Sequence, residues 1–192
     1  MTLGDVAELH RLIKDAQNVL VITKTGATPD DVAAVLALRR YLIAESKPNS
    51  AVIPDFDAKT YPEAAALGVT PKMTRMRQFV ISVDLAKTEL DSSILENRDG
   101  KLRLRLSPQE GLFSKSDIEV GHSDWRFDLV ITAGAPIIES IGKSYDLYKD
   151  FFLNTKIIAI HCDSKPSPGA TLSISDEEAT SVHEITKSLL LY

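Results

Sequence analysis

Residues 18–42 read NVLVITKTGATPDDVAAVLALRRYL, and this stretch decides the fold. It opens with Asn18-Val-Leu-Val-Ile-Thr23, a short apolar run rich in β-branched residues, the pattern of a strand buried on both faces in a parallel sheet. A tight polar loop follows, and then Thr28-Pro29-Asp30-Asp31. Thr28 suits a helix N-cap, Pro29 suits the first helical position, and two acids there complement the positive end of the helix dipole. Val32, Val35, Leu36, Leu42 and Ile43 then mark one apolar helix face. Strand, tight loop and helix in that order make a βα unit.

The same alternation extends in both directions. Upstream, Leu3, Val6, Leu9 and Ile13 fall at helical spacing. Downstream, strands are expected at 51–53, 79–85, 128–132 and 156–161, with a short helix over Pro62–Leu67 and a longer one over 136–150. In the longer one, Ile137, Ile141, Tyr145 and Tyr148 point inward. A last helix is expected from Asp176, its cap, to the end of the chain, with Glu177 and Glu178 in its first turn. Between about 90 and 122 the period changes. Leu102, Leu104 and Leu106 alternate with Lys101, Arg103 and Arg105, and Asp99-Gly100 is a hairpin turn signal with Ile94–Asn97 as the partner strand. Ile118 and Val120 add a third short strand. The expected fold is α/β in three layers, with a mainly parallel sheet of about five strands and an inserted antiparallel β ribbon, in one domain over residues 1–192.

Composition narrows the class of function. The chain has 192 residues, 44% hydrophobic and 26% charged, as a globular domain does. A net charge of −5 argues against broad electrostatic binding of nucleic acid. The basic stripe Lys101, Arg103 and Arg105 reads as a solvated face. One cysteine, Cys162, permits no internal disulfide. No apolar run approaches the ~18 residues of a membrane span, and the opening MTLGDVAELH has no apolar signal core. The expectation is a soluble cytoplasmic protein.

In open α/β sheets, sites form beyond the carboxyl ends of the strands. That directs attention to Lys24–Asp31, Asp84–Thr88, Ala133–Pro136 and His161–Pro168. His161, Cys162 and Asp163 are all legitimate metal ligands. With side chains alternating as the chain leaves a strand, His161 and Asp163 converge while Cys162 faces away, and Asp30 is the third candidate. Against this stands a hydrogen-bonded strand terminus with an inert thiol. Lys24 is expected to form a salt link to Asp30 or Asp163. Asp84 is read as a strand-end carboxylate that caps the next turn.

Three segments carry a resemblance: AQNVLVITKTGATPDDVAAVLALRRYL, then FDLVITAGAP, then NTKIIAIHCDSKPSPGATLSISDEEATSVHEITKSLL. They resemble the N-terminal domain of the DHH-family phosphoesterases, the superfamily of RecJ exonuclease, nanoRNases and family II pyrophosphatases. Ala179-Thr180-Ser181-Val182-His183-Glu184-Ile185 is similar to that family's Ala-Ser-Ser-Thr-x-Glu helix start. The framework matches over nearly the whole chain, and the catalytic letters do not. Lys24 stands where the first-motif His falls, and Thr28 where its first Asp falls. Asp30 matches the second Asp. Gly134 takes the place of the second-motif Asp, and His161, Cys162 and Asp163 replace Asp, His and His of the name motif. The resemblance implies a pair of metals, usually manganese, held by those side chains. One retained carboxylate does not hold two dications, and an ammonium at Lys24 repels them. The family also carries a second, DHH-associated domain, expected to be absent here.

The sequence therefore implies a degenerate, non-catalytic DHH-like domain that works as a binding or assembly module. The vestigial site would be Lys24, Thr28, Asp30, Gly134, His161, Cys162 and Asp163, with no cofactor expected. The alternative is a metal-dependent phosphoesterase on short oligonucleotides or small nucleotides, using Mn²⁺. A weaker third reading is a small-molecule binder that reuses the cleft. The half-apolar ribbon points to a protein partner or a homo-oligomer.

Overall fold

The computed structural model describes residues 2–176 and 178–191. The chain divides into two compact units, one formed by the segments on either side of residues 77–124 and the other by Arg77–Asp124.

The first unit begins with α1 (Leu3–Asp15), capped by Thr2 and buried along Val6, Leu9, Leu12 and Ile13. Leu3, expected on that face, is exposed. Strand β1 (Val19–Thr23) is buried at every residue. Helix α2 (Pro29–Ala44) starts at Thr28, whose hydroxyl accepts from the Asp31 N–H while the Asp31 carboxylate accepts from the Thr28 N–H, a capping box. Strand β2 (Asn49–Val52) and the short α3 (Pro62–Ala66) follow. After the second unit the chain returns to the first for three more strands.

The second unit holds two separate antiparallel pairs. Strand β3 (Phe79–Val83) pairs with β6 (Ile118–His122), and β4 (Leu90–Arg98) pairs with β5 (Lys101–Pro108). The β4–β5 turn is Asp99-Gly100, with φ of 54° and 70°, the left-handed pair that a two-residue hairpin loop requires. Leu95 lies opposite Leu104, which confirms the expected partnering of 94–97 with the leucine strand. Between the pairs, Asp117 is buried and ion-paired to Lys87. The Lys87 ammonium, joined by the Ser114 N–H and hydroxyl, holds this carboxyl down at about 2.

Back in the first unit, β7 (Leu129–Ala133), β8 (Lys156–His161) and β9 (Leu172–Ser175) complete a five-stranded sheet of order β2-β1-β7-β8-β9. Every pairing in it is parallel. The Asp128 carboxylate accepts from the Gln17 and Asn18 N–H groups, at 2.8 Å each, which fixes the register of β1 on β7. Alternate residues feed opposite layers. Val19, Val21, Ile131 and Ile158 pack under α1, α2 and α6 (Val182–Leu190), while Leu20, Ile22 and Val130 pack under α4 (Lys143–Leu147) and α5 (Lys149–Asn154). This is the expected three-layer α/β architecture. Among the described residues, no helix is long and apolar enough to cross a membrane.

Three elements differ from the sequence expectation. Residues 79–83 do not join the parallel sheet, and their place among its five strands belongs to β9. A continuous apolar run looks the same whether its strand is central in a sheet or half of a two-stranded pair. The expected helix over 136–150 is broken into a 3₁₀ turn at Ile138–Ile141, then α4 and α5. The first break falls at Gly142, whose φ of 66° is outside the helical region, and the second at Tyr148, with φ of −124° and ψ of 35°. Ile141 and Tyr145 are buried as expected, but Ile137 is exposed. The last helix starts at Val182 with Ser181 as its cap, so Asp176 lies in the connection before it, and the expected role of Glu177 lies outside the described residues.

Leu38 is fully buried on α2, so Leu38→Ala leaves a cavity. Urea unfolding is expected to show a loss of about 2–5 kcal/mol. Leu112→Ala, at a side chain 90% exposed, should stay within about 0.5 kcal/mol.

Candidate functional site

The chain runs from β1 to β2 on one side and later places β7 on the other, so the order of strands reverses between β1 and β7. Beyond the carboxyl ends of such a pair the flanking loops diverge and leave a crevice. Here it is an open cleft of about 380 Å³. Lys24 follows β1, Gly134 follows β7, His161 ends β8, and the N-terminal residues of α2 and α6 close the rim. All seven residues singled out from the sequence line it: Lys24, Thr28, Asp30, Gly134, His161, Cys162 and Asp163. Of the four candidate segments, Asp84–Thr88 lies elsewhere: it follows β3 and belongs to the other unit. There the Asp84 carboxylate accepts from the Ala86 N–H at 2.8 Å, the turn-capping role expected of it.

The centre of the cleft is a residue absent from that set. Asp31 is buried, and its Oδ2 accepts from Lys24 Nζ at 3.0 Å, from the Thr28 N–H at 2.8 Å and from the Thr28 hydroxyl at 2.9 Å. Lys24 was expected to pair with Asp30 or Asp163, and its partner is Asp31. The signal that points to Asp31 is the Thr28-x-x-Asp31 spacing, because a capping box turns the fourth residue back toward the loop that precedes the helix. Asp30, one position earlier, is exposed.

Gly134 has a specific reason to be glycine. Its φ is +74°, and a Cβ placed there would lie 1.8 Å from Asp31 Oδ1. The N–H of Gly134 donates to the Ile160 carbonyl at 2.8 Å, which holds the backbone against the carboxylate. Opposite, the Thr25 N–H donates to the Ser140 carbonyl at 3.0 Å and ties the loop after β1 to the 3₁₀ turn.

His161 is 1% exposed. Its Nε2 lies 2.9 Å from Ser173 Oγ, which also accepts from the Ser167 N–H at 2.8 Å. Burial pushes the imidazole below its ordinary value, and the nearby Asp163 charge opposes that shift. Burial also pushes the Cys162 thiol up, and the carboxylates of Asp163, Asp31 and Asp30 add to the effect against Lys24. A thiol raised in this way carries less thiolate than a free cysteine at the same pH.

The donor set does not fit a pair of dications. Asp31 is engaged by an ammonium and two neutral donors, and among the described residues no three His, Cys, Asp or Glu side chains form a group that could hold a metal ion. An anion fits no better, with Asp30, Asp31 and Asp163 all lining the cleft.

No protein-family model and no curated protein matches the sequence. Among solved structures, the chain is similar to an exopolyphosphatase-related protein from Bacteroides fragilis, with a TM-score of 0.56 and 12% identity. The two share a fold. The likeness covers 99% of this chain and 44% of that one, so this chain spans less than half the length of the protein it resembles.

Two outcomes test the geometry. Gly134→Ala should cost about 1–3 kcal/mol from strain at a left-handed position. Because its Cβ meets Asp31, adding Asp31→Ala should cost less than the two single effects combined. Strict additivity in urea unfolding would show that the close approach is not the cause. For His161, the unfolded chain takes up a proton below about 6.5 while the folded chain resists it. Stability should therefore be level above that pH and fall below it, toward the depressed folded value. In His161→Gln that decline should be absent.

Proposed function

We propose that this chain is a degenerate DHH-phosphoesterase-like domain that does not hydrolyse phosphoesters and serves as a binding or assembly module. The observation that carries the reading is the Lys24–Asp31 ion pair at the switch point of the sheet. At the position where an open α/β sheet offers its cleft, the buried carboxylate is paired with a lysine from its own unit, so Asp31 is already engaged where a metal would need it. The fold shared with an exopolyphosphatase-related protein supports the ancestry, and the side chains of the cleft support the loss of chemistry. Hydrolysis by a pair of metals needs several anionic ligands close together and a water held between the ions. Lys24 works against both requirements by placing positive charge beside Asp31.

The test is elemental analysis of the purified chain after incubation with Mn²⁺, together with a Mn²⁺-dependent assay on a nucleotide dimer. The expected result is no stoichiometric manganese and no cleavage above a protein-free control. Two manganese ions per chain with turnover of the dimer would overturn the reading in favour of a metal-dependent phosphoesterase.

A further inference from the structure

The strands of the second unit sort their side chains by face. In β3–β6, Ile81 lies opposite Val120 and Val83 opposite Ile118, so these four share one face, along with Phe79. In β4–β5, Leu95 lies opposite Leu104, and Leu102 and Leu106 fall on that same face. The other face of β4–β5 carries the Glu96–Arg105 ion pair at 3.1 Å, with Arg98 opposite Lys101 and the exposed Ile94 opposite Arg105. The two apolar faces line one groove of about 310 Å³, with Ile81, Val120, Leu102 and Leu104 among its walls. Despite their character these side chains are open: Leu102 is 70% exposed, Leu95 65%, Phe79 63% and Val120 61%.

We propose that this groove is an interface with a second copy of the chain. Three arguments select that occupant. The first is area. At these exposures the apolar face offers roughly 700 Å² per copy, and two such faces together reach about 1,400 Å², within the range of a standard stable interface. An equal and identical patch is what a two-fold related copy supplies. The second is the sheets themselves. Each ends after two strands, and two-stranded pairs are marginal in water, whereas three or more strands over an apolar face are stable. A second copy brings strands of the same length with unpaired edges of their own. The third is the charge distribution. The outer face of β4–β5 is mostly charged, with Ile94 as a single exposed apolar side chain among ionic neighbours, so the contiguous apolar area lies on the leucine face. This deepens the assembly half of the reading above and rests on it only there. Its readout is mass, separate from the metal and hydrolysis measurements.

Light scattering on the full chain across micromolar concentrations should give twice 21.1 kDa for the wild type. Leu102→Lys and Val120→Lys should each give 21.1 kDa with an unchanged far-ultraviolet circular dichroism spectrum. Because a lysine can unfold a two-stranded pair, a second measurement keeps the side chains small. In a Cys162→Ser background, Leu102→Cys should crosslink between copies with a short bismaleimide, while Leu112→Cys, exposed and outside the groove, should not. A wild type that stays monomeric throughout would overturn the proposal and leave the groove to the chain's other unit or to a foreign protein. A dimer that survives both lysine substitutions, or a dimer with no crosslink from Leu102→Cys, would overturn it as well.

Discussion

A buried carboxylate organises the working end of the first unit. Asp31 collects the Lys24 ammonium and two donors from Thr28 on one oxygen and presses the other against the backbone at Gly134. These contacts join the loop after β1, the start of α2 and the end of β7. An unpaired charge at that depth would be strongly destabilising, so each partner has a defined task. Lys24 supplies the charge, Thr28 supplies the geometry, and Gly134 supplies the space. The crevice beyond the strands is therefore shaped by an internal ion pair.

Much of this could be read from residues 18–42. The run VLVIT has the composition of a doubly buried strand, and every residue of β1 is buried. The Thr28 cap and the Pro29 start were equally plain, because capping chemistry is local. The choice of partner for Lys24 was not. Asp30 and Asp31 are adjacent and chemically identical, and only the capping-box spacing from Thr28 separates the one that is buried from the one that faces water.

The misplaced elements share a cause. Phe79-Val-Ile-Ser-Val83 and Val19-Leu-Val-Ile-Thr23 read alike, yet one is exposed along most of its length and the other is closed on both faces. Burial is set by what packs above and below a strand, which a short window does not contain. In β9, Leu172 and Ile174 are the only apolar residues in four, too weak a pattern to register beside a Pro- and Gly-rich loop. The helix expected over 136–150 has the right period and fails at Gly142, where added side-chain volume would meet Thr25 Oγ1 at 2.7 Å.

The sheet's strand order also governs how the chain comes together during synthesis. Val19 pairs with Asn49 on one side and with Leu129 on the other, so the second partner of β1 is made long after the first. At a synthesis rate of ~5–20 residues per second, β1 waits on the order of ten seconds for β7. The entropy of closing the longer loop is modest, since each doubling of length adds only about 0.6 kcal/mol. Exposure over time is the larger burden. Throughout that interval a strand that will be buried at every residue, with one free edge, is a target for mispairing, and the Arg77–Asp124 segment must be made before it can be covered. Early collapse of α1 and α2 over one face of β1 would shorten that exposure, because Val19 and Val21 pack with residues of both helices.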